Sequence, residues 1–277
     1  LKFAKAITCI SNFTVQELKK TISIKNNKIS VIFNEVDKNF SFKEKEFNKD
    51  YPVILHIGTR PHKNLSRTIK ALNGIKCKLR IIGEITNKEL DLLQKYKTDY
   101  SFASNLSDND LLKEYQNADI INFPSCHEGF GMPIIEGQAV GRIVVTSNIE
   151  PMISVANNGA AICDPYNIES IRNTYIRVIN DFQYRNDIIL KGIVNMKKVI
   201  LSSLFLTLSI LYLSKNIWIK FVAVNLFLNI YLKFLFFPAA GEYRFYVPFI
   251  FALFLIFLFE LRKIDFIKLK KYNLFKL

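Results

Sequence analysis

The stretch VILHIGTRPHKNL, residues 53–65, decides the fold, because it reads as a strand that runs through a glycine turn into a helix. The apolar residues Val53–Ile57 are typical of a buried strand, and a helix is expected to begin near Asn64. The turn between them carries two cations, Arg60 and Lys63. Backbone N–H groups at a helix N-terminus and two cations together form a site for an anion, especially a phosphate. A capped helix whose cations only face solvent remains an alternative, and the spacing of a P-loop is absent.

The same alternation of short apolar runs with amphipathic segments continues through the first 196 residues. The predicted strands are Ala6–Ile10, Ile29–Phe33, Val53–Ile57, Lys78–Ile82, Asp119–Phe123, Ile143–Thr146 and Ala160–Cys163. The predicted helices are Asn64–Leu72, Lys88–Tyr96, Asp108–Gln116, Pro133–Val140 and Ile168–Asp181. Near-continuous apolar strands separated by helices are typical of a parallel sheet that is covered on both faces. We therefore predict an α/β fold, a doubly wound Rossmann-like parallel sheet with its ligands at the carboxyl ends of the strands.

A second loop, PSCHEGFGMPIIEGQAVG at residues 124–141, follows a later predicted strand in the same way. Pro133 suits the first turn of the next helix, and the glycines let the backbone approach a ligand closely. We expect the carboxylates of Glu128 and Glu136 to face the crevice above the sheet. In that place they suit binding of sugar hydroxyls, binding of ribose, or acid–base chemistry. The alternative for Glu136 is that it complements the helix dipole.

The net charge of +14 is unevenly distributed over the 277 residues. Residues 197–277 hold 12 Lys or Arg and 3 Asp or Glu, a net +9, which leaves +5 for the first 196 residues. A nucleic-acid-binding protein concentrates its positive charge on the folded part, so this class is not favoured. The four cysteines have no Cys-x-x-Cys spacing and are predicted to be small core residues rather than disulfide partners or metal ligands. The first residue is Leu1, and we expect that residues preceding it are missing.

The character of the chain changes after residue 195, where three apolar segments follow: Val199–Leu213, Ile217–Phe237 and Phe245–Leu261. The first and third approach the roughly 17–25 residues that a membrane-spanning helix needs, whereas lysines and asparagines interrupt the second. The basic residues after the last segment favour a cytoplasmic C-terminus. We therefore expect two spans, a cytoplasmic-membrane location and an α/β domain on the cytoplasmic side. A buried helical hairpin of a soluble protein is the alternative.

Several motifs, in this order, resemble the nucleotide-sugar-binding half of GT-B retaining glycosyltransferases, the family often called glycosyl transferases group 1. They are the stretch from Gly58 to Leu65, then Gly83, Ala118–Asp119, Glu128–Pro133 with Glu136, and Asp164–Pro165. The resemblance covers roughly residues 4 to 195. It implies a first domain 1–50 (a linker or remnant plus the first strands), a donor-binding domain 51–195, and a hydrophobic membrane tail 196–277. The segment Ala4–Lys20 is expected to be a linker-like remnant of an acceptor-binding domain.

The resemblance also implies a role for each matching residue. Arg60 and Lys63 would hold the donor diphosphate and stabilise its charge as it leaves. Glu128 and the backbone of the following residues would contact the sugar hydroxyls and the distal phosphate, and Glu136 would bind the ribose hydroxyls. The implied catalytic residues are Arg60, Lys63 and Glu128. The implied donor-binding residues are Gly58, Thr59, Arg60, Lys63, Glu128, Gly129, Phe130, Gly131, Met132 and Glu136.

Family members typically need no metal, and no Asp-x-Asp motif is present, so neither a metal nor a cofactor is expected. The expected partners are a nucleotide-sugar donor, a glycan or lipid-linked acceptor and the membrane, without nucleic acid. One departure from the family pattern is His62, which stands where an Arg is common.

The leading hypothesis is a retaining glycosyltransferase, or its donor half, that acts at the cytoplasmic membrane face in polysaccharide biosynthesis. The first alternative is a non-catalytic membrane-tethered remnant or a gene fusion. This alternative draws on a weaker resemblance of the tail, around Gly241–Pro248, to multi-spanning transferases that use lipid-linked sugars. The second alternative places the function in the tail itself.

Overall fold

A computed structural model describes residues 4–23 and 28–196 of the chain. The strands are β1 (Ile7–Cys9), β2 (Ile29–Val31), β3 (Val53–Ile57), β4 (Lys78–Ile82), β5 (Asp99–Ala103), β6 (Ile120–Phe123), β7 (Ile143–Ser147) and β8 (Ala161–Cys163). The helices are α1 (Asn12–Thr21), α2 (Leu65–Ala71), α3 (Asn87–Lys95), α4 (Asp108–Asn117), α5 (Met132–Ala139), α6 (Met152–Ala156) and α7 (Ile168–Asn180). A 3-10 turn, Pro61–Lys63, precedes α2, and residues 182–196 are also helical.

Six strands form one parallel sheet in the order β5-β4-β3-β6-β7-β8. From β3 the chain proceeds outward in one direction through β4 and β5. It then returns to the other side of β3 and proceeds through β6, β7 and β8. The predicted doubly wound α/β sheet is thus confirmed, and its direction of winding reverses between β3 and β6.

Alternate residues of each strand pack into two hydrophobic layers, one on each face of the sheet. Ile54 packs with α2 and α7 in one layer, whereas its neighbour Leu55 packs with α4, α5 and α6 in the other. Ile120 and Ile121 divide in the same way, because consecutive side chains of a strand point to opposite faces. Burial on both faces explains why these strands read as continuous apolar runs. The predicted core role of Cys77 and Cys163 is confirmed, since both lie buried in the first layer.

All seven predicted strands and all five predicted helices are present, with ends that differ from the predicted ones by at most two residues. The sequence interpretation missed β5, α1, α6 and the helical residues 182–196. The linker-like reading of Ala4–Lys20 is corrected, because most of that segment is structured. Its strand β1 pairs in parallel with β2, and α1 follows with Ser11 as its N-cap.

A buried polar network joins the two central strands at the reversal. His56 and Asn122 are register partners, and the Asn122 side-chain amide lies 2.8 Å from His56 Nδ1. The same amide donates to the Thr68 hydroxyl of α2 at 3.2 Å, and the Tyr175 hydroxyl of α7 donates to Asn122 Oδ1 at 2.5 Å. Because the amide donates to Nδ1, the imidazole is neutral and carries its proton on Nε2. Asn122 therefore ties β3, β6, α2 and α7 together.

The helical residues 182–196 dock on the α5–α6 side through a close backbone approach. A side chain at Gly159 would collide with the backbone of Gly192, so the chain segments touch where neither has a Cβ. Beside this contact, Asn195 Nδ2 donates to Gln138 Oε1 at 2.8 Å, and Gln138 Nε2 donates to the Gly159 carbonyl at 3.0 Å. The helix is thereby fixed to α5.

The predicted apolar segments Val199–Leu213, Ile217–Phe237 and Phe245–Leu261 lie outside the described residues. Among the residues described, no helix combines the length and the apolar character that crossing a membrane requires.

The buried imidazole predicts an acid-sensitive contribution to stability. Burial, and next the charge of Lys63, lowers the pKa of His56 from 6.5 to about 3. As the pH falls below 6.5, His56 is protonated in the unfolded chain but stays neutral in the folded chain. The contribution of the neutral His56 to stability is therefore complete above pH 6.5 and is lost as the pH falls toward 3. The quantity to compare is the free energy of unfolding of the wild type minus that of His56→Asn. We expect this difference to be about 2 kcal/mol smaller at pH 5 than at pH 7. Urea denaturation followed by circular dichroism measures both values.

Between pH 7 and pH 8 the same difference should stay constant, which serves as the internal control. An unchanged difference at pH 5 would show that His56 is protonated without penalty in the folded protein.

Candidate active site

Two loops meet at the edge of the sheet where the winding reverses. The first, Gly58–Lys63, follows β3, and the second, residues 124–131, follows β6. Since β3 and β6 are parallel neighbours, both loops leave the sheet at the same edge, where doubly wound folds bind their ligands. The backbone N–H of Cys126 donates to the His62 carbonyl at 2.8 Å and joins the two loops directly. The two loops that carry most of the sequence-predicted site residues thus lie side by side.

The first loop is shaped around the aliphatic stem of Lys63. Gly58 has a φ of +84°, and a Cβ at this position would lie 3.1 Å from Lys63 Cγ, so the lysine stem lies across the bare glycine. The Asn64 amide ends the loop by donating to the carbonyls of Pro124 at 2.9 Å and Pro165 at 2.7 Å. Asn64 therefore links this loop to the loops that follow β6 and β8.

Lys63 and Glu128 form the central ion pair of the site. Lys63 Nζ lies 2.6 Å from Glu128 Oε1 and 4.7 Å from the centre of the Phe123 ring. Their side chains are only 20% and 14% exposed, so this pair is better shielded from solvent than an ordinary surface pair. His62 Nε2 lies 3.9 Å from the same carboxylate oxygen. The sequence predicted both Lys63 and Glu128 as ligand contacts, and the structure shows in addition that each is the counterion of the other.

The remaining predicted residues of the first loop lie around this pair. Arg60 is exposed, and among the residues described its side chain makes no hydrogen bond or ion pair. Thr59 packs against Gly83 at the end of β4, where a Cβ would lie 3.0 Å from Thr59 Cγ2. A guanidinium that is not engaged elsewhere can turn toward an anion in the crevice.

The second loop presents backbone amides beside the ion pair. Gly131 has a φ of +116°, and a Cβ there would meet Ile134 Cδ1 at 3.0 Å, so the sharp turn requires glycine. Phe130 is buried, and Met132 is the first residue of α5. In the described parts of the chain, the backbone N–H groups of Gly129, Phe130 and Gly131 donate to no protein acceptor. Free amides at the start of a helix, next to a lysine, form a site for an anion.

Glu136 lies in the second turn of α5 and accepts a hydrogen bond from the Tyr115 hydroxyl of α4. The helix-dipole alternative is not supported, because the dipole effect is confined to the first turn. Burial raises the pKa of Glu136, and burial also raises the pKa of Tyr115 well above its usual value. The hydrogen bond uses Oε2, which leaves Oε1 for a ligand. Among the described residues, neither a hydrogen bond nor an ion pair joins Glu136 to Lys63 or Glu128.

Two groups of supporting residues were not recognised in the sequence. Tyr115 was predicted only as part of a helix, although it orients Glu136 and packs edge-on against Phe40, with ring centres 5.2 Å apart. Ser11 and Thr14 lie in the segment predicted to be a linker, and both donate to the Gly129 carbonyl. A tyrosine on the apolar face of an amphipathic helix signals a buried hydroxyl that needs a partner. No local pattern indicates the contact between residues 11–14 and 129.

No three His, Cys, Asp or Glu side chains cluster in a way that would hold a metal ion within residues 4–23 and 28–196.

Comparison with known proteins agrees with this geometry. The sequence profile of the family described as "Glycosyl transferases group 1" matches residues 37–193. The O-antigen chain mannosyltransferase RfbU of Salmonella typhimurium is 31% identical over 173 residues, which are 60% of this chain and 48% of that protein. The chain therefore spans about half the length of this curated relative.

Solved structures share the fold. The C-terminal domain of a glycosyl transferase group 1 family protein from Francisella tularensis aligns with a TM-score of 0.50 and 23% identity, over 59% of this chain and 97% of that domain. HepE of Anabaena, crystallised in complex with UDP-glucose, aligns with a TM-score of 0.61 and 16% identity, over 71% of this chain and 60% of that one. These likenesses confirm that the described residues form one Rossmann-like half of a GT-B fold.

The Tyr115–Glu136 contact gives a testable prediction. Tyr115→Phe removes the only described donor to a half-buried carboxylate. We expect it to lower the free energy of unfolding by about 1.5–3 kcal/mol at pH 7, and by less at pH 4, where Glu136 becomes protonated and needs the donor less. Urea denaturation at both pH values measures the loss.

Tyr51→Phe is the matched control, because the Tyr51 hydroxyl donates at 2.5 Å to an exposed carboxylate, that of Asp99. Equal losses for the two variants, or a loss for Tyr115→Phe that does not shrink at pH 4, would contradict the role given to burial.

Proposed function

The chain belongs to the glycosyl transferases group 1 family, and on that premise we propose that its described part is the donor-binding half of a glycosyltransferase. The proposed reaction transfers a sugar from a nucleoside-diphosphate sugar to a glycan or lipid-linked acceptor in polysaccharide biosynthesis. The bond between the anomeric carbon and the diphosphate breaks, and a glycosidic bond to an acceptor hydroxyl forms. The nucleoside diphosphate leaves with the electron pair of the broken bond.

One observation carries the proposal: a shielded Lys63–Glu128 pair stands beside three backbone amides that have no protein acceptor in the described residues. This arrangement offers positive charge and N–H donors to a diphosphate, together with a carboxylate for hydroxyl groups. A glycosidase would instead need two carboxyl groups placed on either side of the scissile bond as acid and base or nucleophile. Here Glu128 is neutralised by a lysine and Glu136 is held by a tyrosine, which suits ligand binding better than proton transfer.

Binding of the donor requires an exchange of partners in this pair. In the proposed complex, Lys63 binds the diphosphate together with Arg60, and the amides of Gly129, Phe130 and Gly131 bind the distal phosphate. Glu128 is then released to accept hydrogen bonds from the sugar hydroxyls. The two cations act where negative charge develops as the diphosphate leaves, which lowers the barrier electrostatically.

Glu136 is proposed to bind the ribose hydroxyls. Tyr115 fixes its carboxylate through Oε2, so that Oε1 is presented in one orientation. A carboxylate accepts hydrogen bonds from two neighbouring hydroxyls, which matches the 2′ and 3′ positions of a ribose. In the proposed complex, the nucleoside therefore binds at Glu136 and the diphosphate binds at Lys63.

Mannose is the proposed sugar, because the relative RfbU is an O-antigen chain mannosyltransferase. Retention of the anomeric configuration and a reaction without a metal ion belong to the proposal as properties expected of the family. A location at the cytoplasmic face of the membrane is proposed from the apolar and basic composition of residues 197–277.

The proposal predicts that a nucleoside diphosphate stabilises the full chain against heat. At about 100 times the dissociation constant, the gain is about 2.7 kcal/mol, or roughly 5–10 °C in Tm. Lys63→Ala or Glu136→Ala should remove this shift, because each deletes a proposed ligand contact. Differential scanning fluorimetry with UDP and with GDP measures the effect.

Lys76→Ala, at an exposed position outside the crevice, should leave the shift unchanged. The proposal fails if neither nucleotide raises the Tm of the wild type, or if both crevice variants keep the full shift.

A further inference from the structure

Residues 10–14 pack against the second loop of the candidate site and form hydrogen bonds with it. The Ser11 hydroxyl donates to the Gly129 carbonyl at 2.8 Å, and the Thr14 hydroxyl, at a more exposed position, lies 3.1 Å from the same oxygen. The two hydroxyl oxygens also lie 2.9 Å from each other, so the three oxygens form one cluster. Ser11 is only 3% exposed, so its bond to Gly129 is shielded from water. Ile10 packs directly on the loop, because a Cβ at Gly129 would lie 3.3 Å from its Cδ1. The strand–helix junction thus contacts the residue that follows Glu128.

Aromatic contacts flank this point on both sides. The ring of Phe13 meets that of His127 edge-on, with centres 6.1 Å apart. The ring of Phe33, which follows β2, lies 6.3 Å from that of Phe130. Side chains on both sides of Gly129 are therefore packed against the N-terminal segment.

The two hydroxyl bonds fix the orientation of one peptide group. A carbonyl oxygen has two lone pairs, so the Gly129 carbonyl can accept from both Ser11 and Thr14. The Gly129 carbonyl and the Phe130 N–H belong to the same planar trans peptide and point in opposite directions. Holding the carbonyl toward α1 therefore turns the Phe130 N–H away from α1, where it has no protein acceptor in the described residues.

We infer that Ser11 and Thr14 are positioning residues of the donor site, which preset the Gly129–Phe130 peptide so that its N–H faces the phosphate of a bound nucleotide. The inference rests on the proposed function. Neither hydroxyl touches the ligand. Because of them, the loop need not reorganise when the anion binds. A peptide dipole that is already oriented binds a charge more strongly than a mobile one.

Thr14 is the better residue for the test, because its side chain is not the N-cap of α1, although its hydroxyl oxygen lies 2.9 Å from that of the cap Ser11. Ser11 is also the N-cap of α1 and accepts from the Thr14 N–H at 3.0 Å, so its replacement weakens the helix as well. Thr14→Val removes only a hydroxyl and keeps the shape of the side chain, whereas Thr14→Ser keeps the hydroxyl. Thr21→Val is the matched control, because the Thr21 hydroxyl donates to the Glu17 carbonyl within the same helix at 3.3 Å.

The first measurement is the dissociation constant of UDP and of GDP from the full chain, by isothermal titration calorimetry. We expect Thr14→Val to bind the preferred nucleotide about 3- to 10-fold more weakly, which corresponds to the loss of one neutral hydrogen bond. Thr14→Ser and Thr21→Val should stay within about twofold of the wild type. Binding by Thr14→Val that equals that of the wild type would overturn the inference.

The second measurement tests the loop without any ligand. Phe130 is only 7% exposed, so chymotrypsin can cleave after it only when the loop opens. We expect Thr14→Val to increase the rate of cleavage after Phe130, as followed by mass spectrometry of the fragment, while Thr14→Ser and Thr21→Val do not.

The two measurements also separate this inference from the proposed function. If the wild type binds neither UDP nor GDP, the proposed function fails, and the cleavage rates alone decide whether Thr14 holds the loop. Cleavage rates that are the same in Thr14→Val and the wild type would overturn the positioning role whatever the binding result.

Discussion

The parallel pairing of β3 with β6 is the constraint on which the rest of the site depends. These strands are far apart in the chain, and their register brings His56 opposite Asn122, so that Gly58 and Pro124 leave the sheet side by side. A slip of one residue would move the core side chains of β6 to the opposite layer and would shift one loop past the other by about 3.3 Å. The bonds of Asn122 to α2 and α7 favour this register, because a displaced amide would leave buried groups without partners.

The site balances its charges internally. A lysine that is 20% exposed needs a counterion, and Glu128 provides one. The same contact keeps the Lys63 stem across Gly58 and above the Phe123 ring, so the cation is held near the position in which it would meet a diphosphate. The same ion pair thus balances the charge of Lys63 in the free protein and fixes the position of its side chain.

The sequence predicted the buried elements well and the exposed or short ones poorly. Strands such as β3 and β7 are apolar on both faces and are recognisable from composition alone. In contrast, β5, Asp99–Ala103, lies at the edge of the sheet and alternates polar with apolar side chains, so it lacks that signal. Helix α6 has only five residues, too few for a helical period to show.

Within the candidate site, chain order and glycine positions sufficed to predict that the loops of Lys63 and Glu128 lie side by side. They could not show that Lys63 pairs with Glu128 or that Tyr115 holds Glu136, because such contacts depend on side-chain geometry across separate elements. The hydroxyls of Ser11 and Thr14 were missed for the same reason. Their partner lies more than a hundred positions away in the chain, and a hydroxyl carries no sequence signal for its acceptor.

The contact between Gly159 and Gly192 has a consequence for how this chain can vary. A side chain at Gly159 would collide with the backbone of Gly192, and a side chain at Gly192 would press on the Gln138 side chain at 2.9 Å and approach the Gly159 carbonyl at 3.3 Å, so the positions are coupled. The restriction also reaches Asn195 and Gln138, whose amides bridge the same helices. In a collection of relatives, the residue identities at these four positions should therefore change together or stay fixed together, a covariation set by backbone distance rather than by the chemistry of the ligand.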